Sequence, residues 1–110
     1  IDQRVFKLTP RYTSYTLSRA ALWTMTQTAA QGLAPAVRVN AVGPGPTLQN
    51  TAQTDAEFEN ERRSTILSRG ADPSDIAEAV RYLVSARSVT GQMVCVDGGQ
   101  HLAWQTPDVD

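Results

Sequence analysis

Cysteine is nearly absent from this chain. Cys95 stands alone among 110 residues, which excludes a disulfide framework and a thiolate metal cluster. A reducing cytoplasm is the compartment this implies. Neither sign of charge is in excess, since ten Lys and Arg against eleven Asp and Glu leave a formal net charge of −1. No basic stripe is on offer to nucleic acid, and no run of like charge forms a tail. Long apolar runs are missing too: nothing approaches the ~20 residues of a membrane span or the layout of a signal peptide. With 41% hydrophobic residues the chain still has the content of a globular piece, one domain at most. One further scarcity is local. Between Arg19 and Arg38 there is no charged side chain.

That charge-free stretch lies in the strongest helical segment. The sequence predicts a helix over 12–33, with Thr13 or Ser14 as N-cap and Gly32 and Pro35 as stop signals. Opposite Leu22, Met25, Ala29 and Leu33 it offers only Thr, Gln and small residues, whereas the surface helix of a monomer carries a charged face. One face is therefore expected on a sheet and the other, with Trp23, against a second copy of the chain. Upstream, Ile1-Asp2 reads as the end of a strand and residues 3–10 as an irregular loop that includes Pro10. Downstream, 37–42 reads as a strand ended by Gly43-Pro44-Gly45-Pro46.

Residues 47–54 read as a loop, and 55–67 as a charged helix that suits either a mobile lid or a plain connector. Asp72 caps a further helix with Pro73 at its first position and Ile76, Ala79, Val80, Leu83 and Val84 as its core face. Met93 to Val96 is the last strand, and Asp97-Gly98-Gly99 turns out of it. Strands joined through helices pair in parallel, so the fold class is α/β. So few strands leave an unpaired sheet edge on the upstream side.

Chemistry concentrates at Tyr15 and Arg19. One helical turn apart, they set a proton donor beside a fixed cation on one face. A phenol titrates near ~10, and a cation within ~4–6 Å lowers that by roughly 1–3 units, which brings a general acid toward neutrality. Two further patterns follow in order. The first is Arg38-Val39-Asn40-Ala41-Val42-Gly43-Pro44-Gly45-Pro46-Thr47, and the second is Val89-Thr90-Gly91-Gln92-Met93-Val94-Cys95-Val96-Asp97-Gly98-Gly99. In that order the chain resembles the C-terminal half of a short-chain dehydrogenase/reductase. That family carries Tyr-x-x-x-Lys on a long helix, Asn-x-x-x-Pro-Gly after a strand, and Thr-Gly-Gln-x-x-x-Val-Asp-Gly-Gly at its last strand. Asp2 stands thirteen residues before Tyr15, where the family usually has serine. With Gly43-Pro44-Gly45-Pro46-Thr47, it narrows the resemblance to pteridine and dihydromonapterin reductases.

The resemblance implies a Rossmann-type doubly wound parallel sheet, of which residues 1–110 form the C-terminal portion of one domain. None of the seven glycines forms the Gly-rich turn that holds a cofactor pyrophosphate, so the domain is expected to be incomplete. The implied activity is an NADP(H)-dependent reduction of a C=O or C=N, with a pterin-like ring as candidate substrate and NAD(H) as the other cofactor. Tyr15 would be the proton donor, and Asp2 would order it or pass a proton onward. Arg19 stands where the family has lysine. It would keep the charge and the contact to the ribose but is poorly suited to relaying protons. Pro44, Gly45, Pro46 and Thr47 would meet the nicotinamide carboxamide or the pyrophosphate, and Tyr12 is the substrate-stacking candidate.

His101 has no partner at ligand spacing, so no metal site is expected. Cys95 reads as a small core residue. Self-association as a dimer or tetramer is expected through helix 12–33 and the C-terminal segment with Leu102, Ala103 and Trp104. The chain by itself is expected to be inactive. A rival reading from another class is a non-catalytic assembly fragment, with Arg19 marking relaxed constraint.

Overall fold

The computed structural model describes residues 1–109. In chain order they form a 3-10 turn (Gln3–Phe6), helix α1 (Thr13–Leu33), strand β1 (Ala41–Pro44), helix α2 (Asp55–Arg63), helix α3 (Pro73–Ser85), strand β2 (Met93–Val96) and a second 3-10 turn (Gln100–Leu102). The strands pair in parallel, with Ala41 opposite Met93 and Pro44 opposite Val96. This is the expected α/β arrangement, with two helices in the crossover between the strands.

The first strand begins later than the sequence suggests. Residues 37–40 are held mainly by side chains, with backbone bonds from Gly91 N to Val39 O at 2.8 Å and from Val37 N to Leu33 O at 3.0 Å. The Arg38 guanidinium donates to the carbonyls of Leu83, Val84 and Val89, fastening the end of α3. Asn40 donates to Val89 O and accepts from Gln92 N, while Val39 N donates to Thr90 Oγ1. Regular pairing starts only where Ala41 N reaches Gln92 O at 2.8 Å. It then runs through Pro44, which was expected in the turn. A proline is tolerated at this strand end because Gly45 N makes the next bond, to Val96 O at 3.0 Å. Ile1-Asp2 takes no strand assignment, although Ile1 N donates to Val42 O at 3.0 Å.

Helix α1 matches its expected span, but its cap does not. Tyr12, not Thr13 or Ser14, is the N-cap; it is left-handed at φ 60° and makes no side-chain cap bond. The residues that α1 buries are Thr26 and Ala30, and the Thr26 hydroxyl donates to Leu22 O. Trp23, expected against a second copy, also packs edge-on against Phe6 of its own chain, with centroids 5.8 Å apart. Phe6 lies in the first 3-10 turn, where an irregular loop was expected.

Helix α2 ends at Arg63, short of the expected 67. The Thr65 hydroxyl donates to Arg69 O and accepts from Arg69 N, closing a tight turn that includes Ser68 at φ 56°. Helix α3 starts as expected, with Asp75 accepting from Asp72 N at 2.8 Å. Its apolar face has the expected phase but is only partly covered. Leu83 is buried, whereas Val80 is exposed and Val84 is 72% exposed, because a two-stranded sheet is too narrow to cover them. Among the described residues no helix is long and apolar enough to cross a membrane.

Candidate active site

Asp2 organises the site from the start of the first 3-10 turn. Its Oδ1 accepts from Arg4 N at 2.8 Å, and its Oδ2 accepts from the Tyr15 hydroxyl at 2.9 Å. The bond between Ile1 N and Val42 O ties this pair to β1, one residue before Gly43. A Cβ on Gly43 would lie 3.5 Å from Gln3 N, so the first 3-10 turn sits in van der Waals reach of β1. Asp2 and Tyr15 are thus joined by direct hydrogen bonding across thirteen residues.

Arg19 lies over the Tyr15 ring, its guanidinium carbon 4.9 Å from the centroid. That placement is a cation–aromatic stack rather than a pairing aimed at the hydroxyl oxygen. Arg19 lowers the phenol's proton affinity as expected, but the net shift runs the other way. Burial raises the Tyr15 pKa above its ordinary value of 10.0, and the hydrogen bond to Asp2 and the Asp2 charge raise it further. Arg19 and Arg4 pull the other way and do not prevail. A carboxylate that accepts the phenol's proton favours the neutral phenol. Tyr15 as a whole remains 42% exposed.

Tyr12 is exposed and carries the Arg4 guanidinium 5.4 Å above its ring. Asp2, Tyr12, Tyr15 and Arg19 therefore fall in one cluster. Pro44, Gly45, Pro46 and Thr47 lie at the carboxyl end of β1, the end at which open α/β sheets bind ligands. Thr47 donates to Gly45 O at 3.0 Å, closing the turn on itself. A Cβ on Gly45 would lie 2.5 Å from Asp97 Cα, so this turn presses directly on the end of β2. Among the described residues no hydrogen bond joins the turn to Asp2 or Tyr15; the link runs through β1.

One feature of this end of the sheet went unread in the sequence. Asp97 is 1% exposed. Its carboxylate accepts from Gly99 N at 3.0 Å, from His101 N at 3.0 Å and from His101 Nδ1 at 2.7 Å. His101 therefore has a partner after all, and the spacing of four residues past a strand end was the available signal. The donor atoms of Cys95, Asp97 and His101 lie within 4.8 Å of one another. Both Asp97 oxygens are taken by N–H donors, and burial with the Asp97 charge pushes the Cys95 thiol up to about 11. The arrangement is a satisfied polar knot. It supports the Asp2 turn from behind, since Phe6 packs on His101 and Gln3 donates to Gln100 Oε1 at 2.8 Å.

The short-chain dehydrogenase group described as enoyl-(acyl carrier protein) reductase matches residues 4–101. The chain belongs to the short-chain dehydrogenase/reductase family. Within that family it is 36% identical over 102 residues to the dihydromonapterin reductase of Citrobacter koseri, covering 92% of this chain and 42% of that protein. It is 44% identical over 92 residues to a Streptomyces violaceoruber protein named as a ketoacyl reductase of the granaticin polyketide synthase, covering 80% of this chain and 37% of that protein. The crystal structure of FolM alternative dihydrofolate reductase 1 from Brucella suis in complex with NADP superposes with a TM-score of 0.95. It is 52% identical and covers 100% of this chain and 44% of that one. The chain thus spans less than half the length of these family members, and its fold is the corresponding part of their Rossmann-type sheet.

Proposed function

We propose that this chain is the C-terminal portion of one NADP(H)-dependent reductase domain that reduces a C=N or C=O, with a pterin-like ring as substrate. The observation that carries the reading is the Tyr15 hydroxyl bound to Asp2 at 2.9 Å with Arg19 stacked on the same ring. Tyr15 is the proton donor to the substrate heteroatom. Because its pKa is raised, it holds that proton throughout the neutral range, and donation requires the hydroxyl to swing from Asp2 to the substrate. Asp2 orders the hydroxyl. Arg19 stabilises the developing phenolate by charge but keeps its own proton, so it does not relay.

A nicotinamide cofactor would supply hydride when bound. The residues present suit it at one point that the structure exposes: Arg19 Nε is buried with no acceptor among the described residues, an unused donor for a ribose hydroxyl. Backbone groups of Pro44 and Gly45, with Pro46 and the Thr47 hydroxyl, are the proposed partners of the carboxamide and the adjoining phosphate. A second copy of the chain is the proposed partner of α1 and the segment around Trp104.

The test uses the complete reductase with NADPH and a dihydropteridine. Tyr15→Phe lowers kcat by ~10²–10⁴-fold with NADPH affinity retained, while Arg19→Lys keeps or raises the rate. Full turnover in Tyr15→Phe would remove Tyr15 from the chemistry.

A further inference from the structure

Arg4 belongs to none of the family motifs, yet it sits in the middle of the site. It lies two residues after Asp2 in the first 3-10 turn. Its backbone N–H donates to Asp2 Oδ1 at 2.8 Å, and its Nε stands 4.0 Å from the same oxygen. The other oxygen, Oδ2, is the one that receives the Tyr15 hydroxyl. The backbone N–H at position 4, with the Arg4 side chain beside it, therefore divides the carboxylate. One oxygen is committed to the turn, and the other is left facing the phenol.

The guanidinium is itself held from below by the Tyr12 ring, 5.4 Å from the centroid. Tyr12 reaches that position through a left-handed backbone, φ 60°, at the start of α1. A residue with a Cβ keeps such a conformation only where its surroundings over-determine it. The charged groups that face the phenol are Asp2 and Arg4 from the 3-10 turn and Arg19 from its own helix. Both cations lower the proton affinity of Tyr15 against burial and Asp2, Arg19 more than Arg4.

We propose that Arg4 is a second positioning residue of the site: seated on Tyr12, it aims Asp2 at Tyr15 and, with Arg19, supplies the second positive charge beside the phenol. This rests on the reading of Asp2 and Tyr15 as the proton-handling pair. It turns Tyr12 from a substrate-stacking residue into the seat of Arg4.

The experiment reads Tyr15 directly. In a Tyr12→Phe, Tyr82→Phe background, which keeps an aromatic ring under Arg4, Tyr15 is the chain's single tyrosine. Its ionisation is followed by phenolate absorbance, with circular dichroism reporting helix content at each pH. Arg4→Met raises the Tyr15 midpoint by ~0.5–1 unit, Arg4→Gln does the same, and Arg4→Lys returns it most of the way to the parent value. Two neutral variants are used so that failure of one to fold leaves the other to decide. A midpoint unmoved in a folded neutral variant overturns the proposal, as does a lysine variant that behaves like the neutral ones. The titration needs neither substrate nor cofactor. Its failure removes Arg4 and leaves the reductase reading standing, whereas absent NADPH-dependent turnover removes that reading without touching the titration.

Discussion

Two ionisable side chains near the strands and α1, Tyr15 and Cys95, shift the same way for related reasons. Each is partly buried, and each has an aspartate as its nearest negative neighbour. For Cys95 the shift is from 9.0 to about 11. The folded chain then holds the thiol proton more tightly than the unfolded chain does. Its contribution to stability is complete below pH ~9 and is lost as pH rises toward about 11. At neutral pH the thiolate fraction is small, so a thiol reagent should label native Cys95 ~10²-fold more slowly than the same residue in urea. Equal rates in the two conditions would mean that the β2 environment does not protect it. The spacing of Tyr15 and Arg19, and the direction in which Arg19 pulls, were visible in the sequence. The sign of the net shift was not, because it depends on burial of the phenol and on Asp2 reaching the hydroxyl, which together outweigh Arg19.

Most element limits were legible, the end of α1 and both ends of β2 among them; the end of α2 and the start of β1 were not. The starts of α2 and α3 are set within four residues by local capping, Thr54 with Glu57 and Asp72 with Asp75. The end of α2 is set in part from far away, since Leu67 N donates to Gly98 O while Thr65 closes locally on Arg69. Strand β1 is displaced toward the Pro44 turn by Arg38 and Asn40, whose partners lie more than forty residues on. The same long-range logic makes Gly45 the most exacting position of the β1 turn. A methyl group there would meet the Asp97 backbone at 2.5 Å. Gly45→Ala should therefore destabilise the chain by about 3 kcal/mol, read as a lowered urea midpoint. A midpoint equal to the parent's would show that the two strand ends move apart freely.

Across the whole molecule, apolar surface is left in water on α1 and around the sheet. Met25 is 58% exposed, and Leu17, Leu33 and Trp104 are exposed with it. Burying such area is worth roughly 25 cal/mol per Å², so the chain should self-associate, symmetrically by default. Met25→Glu should weaken association in sedimentation, and Glu57→Lys should not. Trp23 is a poor probe of this surface because it packs on Phe6. A folded monomer at high concentration would count against the interface. The chain alone should also bind NADPH far more weakly than a complete family member, because none of its glycines builds a pyrophosphate turn. A titration giving a Kd in the low micromolar range (roughly 1–10 µM) would contradict that.

By itself the sequence determined the family, the α/β class, the order of helices and strands, and the residues on which chemistry is expected to centre. Each of these depends on residue type and spacing along the chain, which local backbone preference and motif order convert directly into structure. Only the tertiary structure decided which groups meet. It placed Asp2 on the Tyr15 hydroxyl, Arg19 on the ring, Arg4 on Tyr12, and His101 on Asp97. Those contacts join the first 3-10 turn to α1, and the end of β2 to the turn that follows it. The direction of a proton's affinity is fixed by such distances and by burial, and neither is written in the spacing of residues.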